Sequence, residues 1–281
     1  MSPDRAAGKN RRSLARRAAV VVFWLVVWQA LAMFTARESI AQALTQGSMS
    51  ELLRALEQGH ILLLPAPVLV AETLFSLALT PSFWAITAAS LLRIFSGFVA
   101  GAVLGGLIAC LTAFLPWADT LFSPLIRIIR ATPVASFIVL ILLWVRTGMV
   151  PGVISALMVL PVVWGNVHAG LVSADGQLLE MADAYSLGPW RTLGLVRLPS
   201  ALPHFASGCT TALGLAWKSG VAAEVLCLPR QAIGTQVYYS KLSLETPALF
   251  AWTAVVIVLS FALESLLRRA LERLKGGRRW K

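Results

Sequence analysis

Long apolar runs, each about the length of a bilayer-spanning helix, recur along this chain. A helix needs about 20 consecutive apolar residues to cross the hydrocarbon core of a membrane. Charged residues make up 13% of the chain, whereas soluble domains carry about 25%. We therefore predict an all-α, polytopic membrane protein with six transmembrane helices, over residues 18–34, 83–115, 123–145, 149–172, 205–228 and 248–267.

Two apolar stretches near the amino terminus admit more than one interpretation. Residues 18–34 follow a basic segment, as a cleaved signal peptide does, but their length and their tryptophans favour a retained helix. Residues 61–80 are long enough to cross, yet they contain Pro65, Pro67 and Glu72. A seventh crossing would put the two basic tails on opposite sides, so we interpret 61–80 as an interfacial helix on the outer side.

The positive charge is concentrated at the two ends of the chain. Of the net charge of +11, residues 1–17 contribute +5 and residues 268–281 contribute +6, which leaves the remainder neutral. Basic tails beside hydrophobic segments are typical of cytoplasmic ends. We predict a multi-pass protein of the cell (inner) membrane with both termini in the cytoplasm. A nucleic-acid partner is not expected, because basic and aromatic residues are not interleaved along a folded face.

This topology divides the chain into three segments. Residues 1–82 hold the basic tail, the first helix and the external interfacial segment, 83–267 hold the other five helices, and 268–281 form the second basic tail. The longest predicted cytoplasmic loop, 173–204, lies in the second segment.

The loop 173–204 has the pattern of two short amphipathic helices. Asp175 can cap a helix from about residue 177 to 187, which Gly188-Pro189 ends. A second short helix carries Trp190, Leu193 and Val196, and Pro199 ends it. Such a protrusion presents apolar side chains that need a partner, either outside the chain or in its own helix bundle.

The loop resembles the EAA loop of ABC-importer permeases. The resemblance is carried by Glu180, Ala182, Val196, Leu198 and Pro199, and it departs from the family pattern at Met181 and at Ser186, which stands where the family has glycine. Because Gly188 follows two places later, we expect the bend to be displaced. Further similarity, to the nitrate/sulfonate/taurine branch, extends from about residue 83 to 267 through "SLLRIFSGFVAG", "LIRIIRATPVASF" and "GLAWKSGVAAEVL".

The resemblance implies a type I importer transmembrane fold and a set of partners. These partners are a cytoplasmic ABC ATPase subunit that docks on the loop, a second permease copy, expected to form a homodimer, and an external solute-binding protein. The chain itself would bind no cofactor and catalyse no reaction, since ATP would be used by the ATPase subunit. Glu180 would offer a carboxylate to the ATPase, and Ala182 would leave room for its close approach. The solute would be a small nitrate-, sulfonate- or taurine-like anion or a related compound.

Several residues inside the apolar runs stand out. Gly97, Gly101 and Gly105 recur every four residues, a spacing that allows close helix contact within one subunit or between two. Charged residues inside a membrane usually face a cavity or a partner. Lys218 could bind an anion and Glu224 could line the solute path, or they could pair structurally with other helices, with Arg93 or Arg127 as partners of Glu224. Trp217 could stack on a solute or pack in the core, and we expect Arg127 and Arg130 to extend to the cytoplasmic interface. These alternatives stay open here.

Two rival classes are weaker. A membrane enzyme would have to rely on Ser155 or Ser173 with His168, and no GxSxG or HExxH motif is present. A secondary transporter would need ion-coupling carboxylates, for which Glu224 and Glu264 are the candidates. His60, His168 and His204 are scattered singly, so no metal site is predicted.

Overall fold

The computed structural model describes residues 3–35 and 64–276. These residues form helices joined by short connections, which confirms the predicted all-α class. The helices are α1 (Pro3–Thr35), α2 (Pro67–Ala78), α3 (Pro81–Phe114), α4 (Pro116–Ala131), α5 (Val134–Ile141), α6 (Val150–Val172), α7 (Gly176–Ala184), α8 (Pro189–Thr192), a π-helical turn (Leu193–Arg197), α9 (Leu198–Cys227), α10 (Ile233–Leu242) and α11 (Thr246–Gly276). Residues 36–63, with His60 and the start of the predicted interfacial segment, and residues 277–281 of the second basic tail lie outside the described residues.

Three of the described helices, α3, α6 and α11, are long and apolar enough to cross a membrane, and the bent pair α4–α5 would make a fourth span. The predicted crossing at 18–34 lies within α1, and the one at 205–228 coincides with α9 up to Cys227. The count of six crossings stays a prediction. At 12 residues, α2 is about 18 Å long and too short to cross a hydrocarbon core of about 30 Å.

The predicted crossing 123–145 is broken in the middle. Helix α4 ends at Ala131, α5 begins at Val134, and the two axes are bent by 105°. The cause is Pro133, which disfavours a helical conformation of the residue before it. Thr132 is accordingly extended, with ψ of 130°.

The described residues form two compact units, one from residues 3–35, 64–81 and 237–254 and the other from 82–236 and 255–276. In the first unit, the rings of Trp28 and Phe250 lie 5.9 Å apart between α1 and the start of α11. The second unit contains α3 to α9 and carries the loop and the charged residues singled out above.

The second unit is built on close contacts between α3, α6 and α9. Gly97, Gly101 and Gly105 of α3 are buried and lie against the backbone of α6, where an added Cβ at Gly97 would meet the carbonyl oxygen of Gly152. Small and β-branched residues also fill the contact between α6 and α9. Helix packing through small residues is common in membranes, where the backbones must approach closely to gain van der Waals contact.

Candidate functional site

The loop between α6 and α9 starts from a rigid base. Next to the loop, Gly170 of α6 lies directly against the His204 ring of α9, so closely that a Cβ would come within 2.8 Å of it. One helical turn farther in, Gly208 lies in the same way against Asn166. The Arg197 guanidinium packs over the Phe114 ring of α3 at 5.1 Å. A force on the loop therefore reaches three helices of the bundle.

The first helix of the loop begins and ends with defined capping contacts. Asp175 accepts a hydrogen bond from the Gln177 N–H at 3.0 Å, as predicted for an N-cap. At the other end, the Leu187 N–H donates to the Ala182 carbonyl and the Ser186 N–H to the Asp183 carbonyl, both at 2.9 Å. This pair of bonds is the Schellman motif, which needs a left-handed residue at its turn.

Ser186 provides that left-handed residue, with φ of 53°. It stands at the position where the family has glycine, the residue that adopts this conformation without steric cost. Gly188 has φ of −64° and starts α8. The expectation that the bend is displaced toward Gly188 was therefore wrong: the hydrogen bonds of the motif hold the bend at 186, even at the cost of a strained serine.

The second half of the loop is helical and continues directly into α9. Pro189 opens α8, a π-helical turn follows, and Leu198 and Pro199 lie in the first turn of α9. The prediction that Pro199 ends this element was wrong, because a proline is accommodated in the first turn of a helix. Pro199 and Pro203 have no N–H group and donate no backbone hydrogen bond. The Leu198 N–H donates to the Leu193 carbonyl, five residues back, as in a π-helix. The loop is thus shorter than predicted, 173–197.

Two loop residues are buried, while large apolar side chains point outward. Ala182 is completely buried and Val196 nearly so. Ala182 therefore packs within the protein, and its predicted role in a close approach of the ATPase stays a prediction. Trp190 is 83% exposed and Tyr185 76% exposed. Further exposed residues include Leu178, Glu180, Met181, Ser186, Gly188 and Leu195 of the loop, with Leu198 and Pro199 at the start of α9.

The three residues proposed for a solute path do not form one site. Trp217 is buried and donates its indole N–H to the Val256 carbonyl at 3.0 Å, so its ring is in the core. Lys218 is exposed on the surface of α9. Glu224, by contrast, is completely buried.

Glu224 lies at the centre of a polar cluster that joins α3, α9 and the start of α10. Its carboxylate accepts from Arg93 Nη1 at 2.9 Å, from the Ser90 hydroxyl at 2.9 Å and from the Gly234 N–H at 3.1 Å. The Ser90 hydroxyl in turn accepts from the Ile233 N–H at 2.9 Å. Of the two partners weighed from the sequence, Arg93 is the one in contact. Ser90 and Gly234 were missed, since neither carries a sequence signal beyond its residue type.

The long apolar spans, the tightly packed bundle and the protruding loop with exposed aromatic side chains together define a polytopic helical membrane protein. The chain belongs to the family described as "Binding-protein-dependent transport system inner membrane component", which matches residues 97–276. The resemblance to ABC-importer permeases is thereby confirmed.

Relatives of this chain include transport permeases. The chain is 30% identical over 219 residues to the taurine transport system permease protein TauC of Escherichia coli (strain K12), covering 76% of this chain and 79% of that protein. It is 28% identical over 216 residues to the riboflavin transport system permease protein RibX of Chloroflexus aurantiacus, covering 75% of this chain and 80% of that protein. The crystal structure of an amino acid ABC transporter with histidines shares the fold, with a TM-score of 0.60 at 16% identity over 71% of this chain and 97% of that one. This chain is an ABC transporter permease and not an enzyme.

Proposed function

We propose that this permease is the membrane subunit of an ATP-driven importer, and that a separate cytoplasmic ATPase drives it through the loop 173–197. An external binding protein delivers the solute. The chain binds no cofactor, and ATP is used by the ATPase subunit.

The exposed aromatic face of the loop is the observation that carries this proposal. Trp190 and Tyr185 are large, mostly exposed and placed on a short two-helix element that is rigid at its base. Tryptophan and tyrosine are enriched among the residues that dominate binding energy at protein interfaces. Exposed Glu180 and Met181 lie on the first helix of the same element and extend the surface available to the ATPase.

The direction of the loop follows from the charge distribution. Basic segments flank the apolar runs at both ends of the chain, which favours cytoplasmic termini in a cell (inner) membrane. Residues 146–149 and the loop 173–197 are at opposite ends of α6, a span of 23 residues. If the loop faces the cytoplasm, residues 146–149 face the outside.

A second copy of the chain is supported by an exposed stripe on α9. The residues of this stripe recur every three or four positions, so they lie along one face of the helix. They are Ser207, Thr211, Leu215, Lys218, Ala222 and Leu226. Because the other faces of α9 are buried in the bundle, its exposed face needs a partner. A homodimer would place two such stripes on either side of a solute path.

The solute class follows from the relatives and from this stripe. Two relatives are named for taurine and for aliphatic sulfonates. Lys218 is exposed on the α9 stripe, where its ammonium group could attract an anionic solute. We therefore assign a small anion or a related compound as the solute.

Replacing Trp190 by serine tests the docking role of the loop. Truncating a dominant interface residue costs about 2 kcal/mol or more, so we expect the affinity for the ATPase to fall about thirtyfold. The measurement is capture of the co-expressed ATPase by the tagged permease, with ATP-dependent uptake in reconstituted vesicles. Trp144→Ser is the matched control, because Trp144 is also exposed but lies at the other end of α6. Equal capture by both variants would show that the loop is not the docking element.

A further inference from the structure

Arg130 is placed in the middle of a membrane span. Its Nη2 donates to the carbonyl oxygen of Pro161 at 3.2 Å, and Pro161 is the central residue of α6. Gly165 leaves the space for this contact, because a Cβ there would come within 3.0 Å of Nη2. The guanidinium is therefore about 17 Å from either end of α6. The expectation that Arg130 extends to the membrane interface was wrong.

The helix that carries Arg130 has two different faces. Four exposed apolar residues of α4 lie within about 80° of one another around the helix, and they are Trp117, Leu121, Leu125 and Ile128. The polar residues lie within a similar arc on the opposite side, and they are Asp119, Ser123, Arg127 and Arg130. Because the apolar face suits lipid, the polar stripe lies on the side that contacts α6: Ser123 is buried and Arg130 bonds to Pro161, while the side chains of Arg127 and Arg130 stay exposed and accessible to a solute.

The two arginines of this stripe lack an acidic partner in the part of the chain that the structure describes. The one ion pair found there joins Arg93 to Glu224, and Asp119 accepts a hydrogen bond from the Ser123 hydroxyl, one turn away on its own helix. A guanidinium offers five N–H donors, and Pro161 is the sole protein acceptor of Arg130 among these residues. A charge at this depth is costly and marks a solute or ion pathway by default.

We infer that Arg130, with Arg127 one turn away, forms an oxyanion-binding site on the solute path beside the break between α4 and α5. The ligand is a small solute bearing a sulfonate, sulfate, phosphate or carboxylate group, because planar guanidinium forks pair with such oxygens through charge-assisted hydrogen bonds. This site is separate from Lys218, which is on α9. The assignment rests on the proposed import function, to which it adds the residues that select the solute.

Ligand-dependent thermal stability of the purified permease tests the site without any ATPase. The protein is kept in an uncharged detergent, so that no lipid phosphate supplies the oxyanion. The probe is sodium methanesulfonate, compared with sodium chloride at equal ionic strength and with uncharged dimethyl sulfone of similar shape. We expect methanesulfonate alone to raise the melting temperature of the native sequence, since a ligand that binds only the folded state stabilises it.

Variants separate the site from general charge effects. Arg130→Gln should weaken methanesulfonate binding at least about tenfold, because it removes a charge-assisted hydrogen bond to the oxyanion, and Arg127→Gln should weaken it to a smaller degree. Arg146→Gln, at an exposed arginine between α5 and α6, should leave the shift unchanged. If Arg130→Gln does not fold, Arg130→Lys and Arg127→Gln give the same comparison.

The inference is overturned if dimethyl sulfone gives the same shift, if Arg130→Gln keeps the whole shift, or if Arg146→Gln loses it equally. The proposed function fails separately, by an absence of ATPase capture in the native sequence. Arg130→Gln should retain that capture, because Arg130 is outside the loop.

Discussion

A Glu224→Ala variant is expected to lose about 3–5 kcal/mol of folding free energy, because removal of one member of a buried ion pair leaves the other charge uncompensated. The Glu224 carboxylate is completely buried and is contacted by Arg93, Ser90 and the Gly234 N–H. Without it, three groups lose their acceptor, and the start of α10 loses its attachment to α3 and α9. Thermal unfolding of the purified permease, followed by tryptophan fluorescence, measures the loss.

Two further variants separate the charge from the space that Glu224 fills. Glu224→Gln keeps the shape and part of the hydrogen bonding but leaves Arg93 without a counter-charge, so its melting temperature should fall between those of Glu224→Ala and the native protein. Glu245→Gln is the matched control at an exposed carboxylate and should melt like the native protein. If Glu224→Ala also melts like the native protein, the cluster does not stabilise the fold.

A Gly101→Ala variant is expected to lose about 3 kcal/mol, at the upper end of the usual cost of overpacking a core. The added Cβ would be 2.5 Å from the Ala156 carbonyl oxygen and 2.8 Å from the Val159 Cβ. A backbone carbonyl cannot rotate away as a side chain can, so α3 and α6 would have to separate. Yield and melting temperature of the purified protein report this change.

Gly106 supplies the control on the same helix. An added Cβ at Gly106 would meet only the far end of the Phe205 ring, at 3.9 Å. Gly106→Ala should therefore stabilise the protein by up to about 1 kcal/mol, through the better helix propensity of alanine. Opposite signs for the two variants would identify the contact between α3 and α6 as the cause, and equal effects would contradict it.

Apolar run length was enough to predict the helical class and the approximate position of most helices, because burial in a bilayer forces hydrophobic residues into continuous segments. It could not predict the break at Thr132, because apolar residues lie on both sides of Pro133 and the break is a change of local backbone conformation. The spacing of the glycines likewise predicted close packing, but the identity of α6 as the neighbour came from tertiary structure.

The loop shows where a sequence motif stops being informative. The motif located the element, but it led to the wrong position for the bend. The hydrogen bonds that end α7 place the left-handed residue at Ser186, and these backbone bonds do not depend on the residue type that the motif records. Glu224 shows the same limit, because its partners Ser90 and Gly234 are far away in sequence and ordinary in type.

The central claim is that an ATPase in the cytoplasm binds the loop 173–197. Labelling from one side of the membrane at a time tests it most directly. Cysteine replaces Trp190 in one variant and Arg146 in another, both in a background without the native cysteines Cys110, Cys209 and Cys227. Inside-out vesicles and intact cells are treated with a membrane-impermeant maleimide, with and without the ATPase. We predict that Trp190→Cys labels only in inside-out vesicles and is protected by the ATPase, while Arg146→Cys labels only in intact cells. Labelling of Trp190→Cys from the outside of intact cells would contradict the account.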